Sequence, residues 1–315
     1  MLSSDFIQLP SLAVICSVYN EEDAIPLFAA RVLDVFRRLQ RSYTPHLYFI
    51  DNGSSDRSLE IIRNLHERHP EIFVIVLSRN FGYQCALEAG LRTAEADLYV
   101  MIDVDCEDPP EMIEDFLKYE REGYEIVYGE RTDRPEGILL KSARKLYYRV
   151  VRSVADDNFV IDMAEFSLTT REVRDAIIRD ATAYPFLRAS IGRIGFKRKN
   201  IPYCRRPRIA GKTHYNLLGM TVFAVGGVLS ASTVILRWPA YAFPLWLLAL
   251  GLIAIFSFTH PGTWQIPLIL FIGFGFIGGY AIAIGLYVAR IYKDGLRRPN
   301  AIVRYGLSIL PPGND

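Results

Sequence analysis

SLAVICSVYNEEDAIPLFAARVLDVFRRL, residues 11–39, changes its hydrophobic period part-way along. Ser11–Val18 is a short unbroken apolar run bounded by polar residues, the pattern of a buried strand. Asn20, Glu21, Glu22 and Asp23 form a polar turn. From Ala24 to Leu39 the apolar residues Leu27, Val32, Leu33, Val35 and Phe36 recur at helical spacing. The acids are placed in the first turn of that helix, where its dipole favours negative charge. The unit is strand, polar loop, helix, and it repeats: strand Leu47–Ile50 with helix Ser58–His66, strand Phe73–Leu77 with helix Gln84–Thr93, strand Leu98–Ile102 with helix Glu111–Arg121. Strands alternating with helices over connections this short predict an α/β fold with a doubly wound, mainly parallel sheet. Ligands of such sheets bind at loops leaving the carboxyl ends of the strands. Three polar loops fall there: YNEED, DNGSSD and DVDCEDPPE.

The last of these is the most charged. Asp103, Asp105, Glu107, Asp108 and Glu111 crowd five carboxylates into nine positions behind an apolar run. Asp103 and Asp105, one residue apart, can point to the same side at a strand end. Oxygen donors of this kind suit Mg²⁺ or Mn²⁺, which take one or two carboxylates and complete their shell with substrate phosphates. Asp108, before two prolines and Glu111, reads instead as a helix N-cap, with Glu111 favoured by the dipole.

Charge and hydropathy then divide the chain. Net charge is +1, yet no Asp or Glu occurs between Asp180 and Asp294, while Arg and Lys recur there. The asymmetry points the basic half toward a polyanion or a membrane surface. Four scattered cysteines without C-x-x-C spacing read as reduced thiols, and no signal peptide is expected. Residues 238–258 and 266–289 are uncharged and about as long as the ~20 residues a bilayer core requires. Their link carries no Lys or Arg, whereas Arg237, Arg290, Lys293, Arg297 and Arg298 flank the outer ends. The charge bias predicts a transmembrane hairpin with both ends in the cytoplasm. Three spans would put Arg297 and Arg298 on the wrong side, so residues 211–236 are read as an interfacial juxtamembrane helix. The expected organisation is a catalytic domain over 1–210, that helix, and a hairpin with a cytoplasmic tail over 237–315.

YNEE, D-x-G-S-x-D, RNFG and D-x-D-x-x-D-P-P-E occur in one order, followed by YGERTDR, VIDMAEF, FLRASIGRIGFKRKNIPY and RIAGKTHY. Together these resemble the family-2 glycosyltransferases of GT-A fold, and among them the membrane-anchored polyprenyl-phosphate glycosyltransferases similar to dolichol-phosphate mannose synthase. The resemblance implies that Tyr19, Glu21 and Asn52 meet the nucleotide, and that Asp103 and Asp105 hold the metal and the donor's diphosphate. It implies that Arg131 faces the phosphates or acceptor, that Asp162 lies near the acceptor, and that Arg208 closes over the diphosphate. His214 takes the place of that segment's Lys. The chain departs from the family pattern at Asn52 (usually Asp), at Glu107 (often Gln), at Ala164 and Glu165 (Gly and Asp), at Ser167 (Arg) and at His214.

The activity implied is inverting transfer of a sugar from a UDP- or GDP-linked donor to a polyprenyl phosphate at the cytoplasmic face of the inner or plasma membrane. Asp105, Asp162, Arg131 and Arg208 form the expected catalytic set. Expected partners are the donor, the lipid acceptor, the bilayer and a second copy of the chain through the Gly-rich helix, but no nucleic acid. Two alternatives stand beside this reading: another lipid acceptor, for which Asp162 would have to act as a base, and a non-catalytic family member. A dehydrogenase is set aside, because the first strand-to-helix turn has no G-x-G-x-x-G. Lys197–Lys199 suit acceptor binding and membrane anchoring equally. The RKLYYR segment at 144–149 suits an acceptor-side wall or a packing helix.

Overall fold

The computed structural model describes residues 9–133, 163–180, 182, 185–210, 233–259, 262 and 264–312. Asp162, His214, the RKLYYR segment and nearly all of 211–236 lie outside the described residues. The elements are β1 (Ser11–Val18), α1 (Ala24–Leu39), β2 (Thr44–Asp51), α2 (Ser58–Arg68), β3 (Ile72–Val76), α3 (Tyr83–Thr93), β4 (Leu98–Met101), α4 (Ile113–Arg121), β5 (Ile126–Asp133), β6 (Met163–Thr170), α5 (Arg171–Arg179), α6 (Leu187–Ile194), β7 (Arg198–Cys204), α7 (Val234–Thr259) and α8 (Gln265–Gly295).

The seven strands form one sheet in the order β3-β2-β1-β4-β6-β5-β7. Every pairing is parallel except the two made by β6, which runs against β4 and β5. The sheet is therefore mixed and mostly parallel, as the alternating pattern predicts. Helices cover both faces. One face buries Phe28, Phe36, Phe49, Phe116 and Phe166, and the other Tyr48, Ile50, Leu87 and Tyr99.

Helix α1 departs from expectation in two ways. Its first turn holds no acid; Glu21 and Glu22 precede it and bond to other segments instead. Its buried stripe runs through Ile25, Phe28, Ala29, Val32, Val35 and Phe36, leaving Leu27 exposed.

Helices α7 and α8 are long and apolar enough to cross a membrane over Leu236–Phe258 and Gln265–Gly295. Large apolar side chains such as Leu245, Phe258 and Phe271 face outward. The two helices touch through aromatics, with Phe276 stacked on Trp246 at 4.9 Å between ring centroids and edge-on to Trp238 at 5.3 Å.

Beyond α8 the chain returns to the sheet. Ile309 bridges antiparallel to Val74 on the edge strand β3, and Val303 to Leu77 just beyond it. Arg304 N–H donates to Val76 O at 2.7 Å, and Ile309 N–H to Val74 O at 2.8 Å. The tail thus covers an otherwise open edge. Asn300 fastens it sideways, donating to Glu88 on α3 at 2.6 Å and to the Thr182 carbonyl at 2.8 Å.

Candidate active site

The loops after β1, β2 and β3 are stitched into one surface at the carboxyl edge of the sheet. Asn20 adopts a left-handed backbone, φ 54°, and its side-chain oxygen accepts from Ser55 N–H at 2.8 Å. Its own N–H donates to Ser54 Oγ at 3.1 Å, and Glu21 N–H to Ser58 Oγ at 3.0 Å. Glu22 accepts from Arg57 N–H at 3.1 Å. Gly53 has φ +75°, and a Cβ there would lie 2.6 Å from the Arg79 carbonyl carbon, so only glycine admits this approach. Asn52 is buried and braces the RNFG loop, accepting from Phe81 N–H at 2.9 Å and donating to Asn80 Oδ1 at 3.3 Å. The residue expected to meet a nucleotide therefore also holds the adjoining loop in shape. Tyr19 is half-buried where β1 ends.

Asp103 and Asp105 follow β4 in the middle of this edge. Asp103 accepts a 2.5 Å hydrogen bond from the Tyr83 hydroxyl at the start of α3. Burial, then the charges of Asp105 and Asp108, push its carboxyl up to about 7. Asp105 accepts from Glu107 N–H at 3.1 Å through one oxygen, and its other oxygen lies 3.6 Å from Arg208. Arg208 also pairs with Glu21, whose second carboxylate oxygen is buried without a hydrogen-bond partner among the described residues. Arg208 thus ties the first loop to the fourth.

The segment carrying Arg208 lies along the acidic loop as a strap. Arg206 N–H donates to Glu107 O at 2.9 Å, and Ile209 N–H to Asp105 O at 3.0 Å. Arg205 pairs with Glu107 at 2.5 Å, which gives that extra acid a partner. Burial foremost pushes the Glu107 carboxyl up, with Asp105 adding to it and Arg205 opposing.

Asp108 overturns the N-cap expectation. The turn at Pro110–Met112 has Pro109 at its N-cap position and no side-chain cap. Asp108 is fully buried and anchors Arg131, which donates to it at 3.1 Å. It also accepts from the Tyr203 hydroxyl, and Arg131 Nε donates to that same hydroxyl at 3.1 Å. The Tyr203 ring covers Gly129, where a Cβ would approach it to 2.6 Å. Glu111 does lie in the first turn and takes a bidentate pair from Arg31 at 2.7 and 2.9 Å, plus Arg206 at 3.2 Å.

The structure brings Glu21, Asp103, Asp105, Arg131 and Arg208 to one edge. Asp162 and His214 are outside the described residues. Tyr83 and Gln84 lie in no motif that singled them out, and Arg188 and Tyr203 stood only within the long 186–203 segment; contacts across the chain tie all four into this edge. Among the described residues no group of three or more His, Cys, Asp or Glu is gathered as a metal cage. Two neighbouring carboxylates beside a buried, unpartnered Glu21 oxygen fit a hard divalent ion that draws its other ligands from phosphate and water.

Comparison with known proteins defines the class. Residues 13–178 match the Glycosyl transferase family 2 model, and the chain belongs to that family. It is similar to the "Uncharacterized glycosyltransferase YkcC" of Bacillus subtilis (strain 168), 33% identical over 94% of each chain. It is also similar to the "Prophage bactoprenol glucosyl transferase homolog" of Escherichia coli (strain K12), 29% identical over 93% of this chain and 98% of that one. A third relative is the "Undecaprenyl-phosphate 4-deoxy-4-formamido-L-arabinose transferase" of Photorhabdus laumondii, 28% identical over 95% of each.

Proposed function

We propose that this protein is an inverting glycosyltransferase that moves a sugar from a nucleotide-sugar to a polyprenyl phosphate at the cytoplasmic face of a membrane. The observation that carries this reading is the paired Asp103–Asp105 edge, met by Arg208 on one side and by anchored Arg131 on the other. Full-length similarity to proteins named for bactoprenol and undecaprenyl phosphate supports the acceptor class.

In this reading residues 1–210 bind donor and acceptor, 211–236 lie at the interface and 237–315 hold the membrane. Tyr19, Glu21 and Asn52 line the nucleotide side, and His214 joins Arg208 in closing over the diphosphate. Asp103 and Asp105 hold Mg²⁺ or Mn²⁺, which when bound stabilises the departing nucleoside diphosphate. Arg208, paired with Glu21 in the structure, exchanges that partner for the donor's phosphates. The acceptor monoester carries about −1.5 to −2 charges near neutrality, so it is a nucleophile without a strong base. One of its oxygens bonds to the anomeric carbon as the bond to the diphosphate breaks on the opposite face. Arg131 orients that phosphate, and Asp162 lies beside it. The tail seated on β3 supports an even number of crossings between the sheet and residue 299, which the α7–α8 pair supplies.

The test is transfer of radiolabelled sugar from a panel of UDP- and GDP-sugars onto undecaprenyl phosphate by the full-length protein. Lipid-linked product that disappears with chelator and returns with Mg²⁺ or Mn²⁺ is expected. Transfer only to a lipid lacking phosphate would redirect the reading to another acceptor, and absence of donor binding would leave a non-catalytic member.

A further inference from the structure

Two consecutive residues at the start of α3 grip two neighbouring strands. Tyr83 bonds Asp103 at 2.5 Å, and Gln84 donates to Glu165 on β6 at 2.9 Å. The β4–β6 register pairs Met101 with Ser167; carried two residues further, it sets Asp103 level with Glu165 on one face. Glu165 is buried, and it accepts from Arg188 Nε at 2.7 Å. Gln84 also accepts from Leu187 N–H at 3.0 Å, which fixes the start of α6 and the arginine that follows.

Arg188 is therefore anchored through Nε by a buried acid, whereas Arg131 is held through Nε by the Tyr203 hydroxyl and through one terminal nitrogen by buried Asp108. Neither anchor uses every N–H of the guanidinium, a fork that matches phosphate geometry. Both arginines come from the same side of β4. In the sheet order the nucleotide loops follow β1 and β2 on one side, while β6, α6 and β5 lie on the other. The charge of Arg131 acts against that of Arg188, in keeping with their placement on the same side of β4. Each arginine is already matched by a buried acid, Arg131 by Asp108 and Arg188 by Glu165, so what they offer a phosphate between them is their remaining N–H donors.

We infer that Arg188, held by Glu165 and Gln84, forms with Arg131 a two-arginine cradle for the phosphate of the lipid acceptor. This rests on the proposed function and adds to it the residue that binds the attacking group. Glu165 and Gln84 are positioning residues: they aim Arg188 without touching the phosphate. The other phosphate source, the donor's diphosphate, belongs to the Arg208 side and is separated by the test.

Full-length wild type, Arg188→Ala, Arg188→Lys and Glu165→Gln are compared with a short-chain polyprenyl monophosphate in detergent. Acceptor KM, donor KM and nucleoside diphosphate affinity are measured separately, with thermal unfolding as the fold check. Arg188→Ala is expected to raise acceptor KM at least tenfold while donor KM and nucleotide affinity stay within twofold. Arg188→Lys, which keeps the charge and loses the fork, should fall between. Glu165→Gln should move acceptor KM in the same direction by a smaller factor. An unchanged acceptor KM in Arg188→Ala, beside an active wild type, overturns the cradle and leaves the function standing. A rise in donor KM, or a lowered melting temperature wholly restored by lysine with acceptor KM normal, also overturns it. A wild type that neither binds nor glycosylates polyprenyl phosphate removes the proposed function, and the cradle with it.

Discussion

Asp103–Asp105 and Asp108–Glu111 lie within nine residues of one another and carry the same kind of charge, yet their surroundings are opposite. Asp105 is buried and Asp103 half-buried beside other acids, and among the described residues the cation paired most closely with them, Arg208, stands 3.6 Å from Asp105. The second pair is matched group for group: Asp108 with Arg131 and Tyr203, Glu111 with Arg31 and Arg206. One half keeps a field for a cation to enter, and the other is already neutralised by the fold. The backbone separates the two halves at Cys106, whose φ is 55°. A run of acids in sequence is thus two structures, one prepared for chemistry and one for architecture.

Neutralising one acid in each half should give different kinds of loss. Asp105→Asn is expected to lower transfer on the order of 10³-fold or more, since it removes charge from the place where the leaving diphosphate is stabilised. Its melting temperature should hold or rise, because repulsion within the loop is relieved. Asp108→Asn should do the reverse in emphasis. It leaves the Arg131 guanidinium, only 14% exposed, without its counter-charge, at a cost of about 3–5 kcal/mol in stability. Paired activity and denaturation curves check both. Equal loss of stability in the two variants would erase the distinction.

The sequence made the functional half more legible than the architectural half. Asp103 and Asp105 stand one residue apart at the end of an apolar run, a local pattern with a local reading. Asp108 also has a local reading, Asp before Pro-Pro, and it was misleading. Its real partner, Tyr203, is 95 residues away and is brought alongside only because β7 pairs with β5 so that Arg131 and Tyr203 share a register. The same limit hid Tyr83 and the partners of Arg188, Glu165 and, through Leu187, Gln84. The four early strand-loop-helix units were readable because their burial periods are local; β1 and α1 end where the pattern ends. Reversal of β6 was not, since antiparallel pairing depends on partners chosen from the whole sheet. The tail on β3 escaped for a related reason: among the described residues its bridges to the sheet are those of Val303 and Ile309, too few for a periodic signal.

The pH dependence of metal binding sharpens the contrast. Asp103 is held up to about 7 by burial and neighbouring acids, far above the roughly 3.9 of an exposed aspartate. Between those values the metal-free folded chain binds a proton at Asp103 that the unfolded chain does not. This group's contribution to stability is therefore largest at low pH and is lost as pH rises through that window. An entering cation must displace the same proton, so Mn²⁺ affinity should rise about tenfold per pH unit up to about 7 and then level off. Calorimetry in buffers of different ionisation enthalpy should record release of about one proton at pH 6 and little at pH 8. A flat affinity over that range would mean that the first half, like the second, is already compensated.

The smallest effect is expected at Glu111, and it tests the architectural half at its exposed end. The pair with Arg31 is bidentate, but the two side chains are 24% and 42% exposed, so water screens most of the attraction. Glu111→Gln should cost about 0.2–1 kcal/mol, with a small addition from the lost negative charge in the first helical turn. Transfer activity should not change, because Glu111 faces α1 rather than the Asp103–Asp105 edge. Raising salt to 1 M, where the screening length is about 3 Å, should shrink the difference between variant and wild type further. The Asp108→Asn penalty should survive the same salt, since ions do not reach a fully buried carboxylate. A salt-insensitive loss at Glu111 would show instead that Arg31 and Arg206 brace the acidic loop as a unit, and that its two halves are mechanically one.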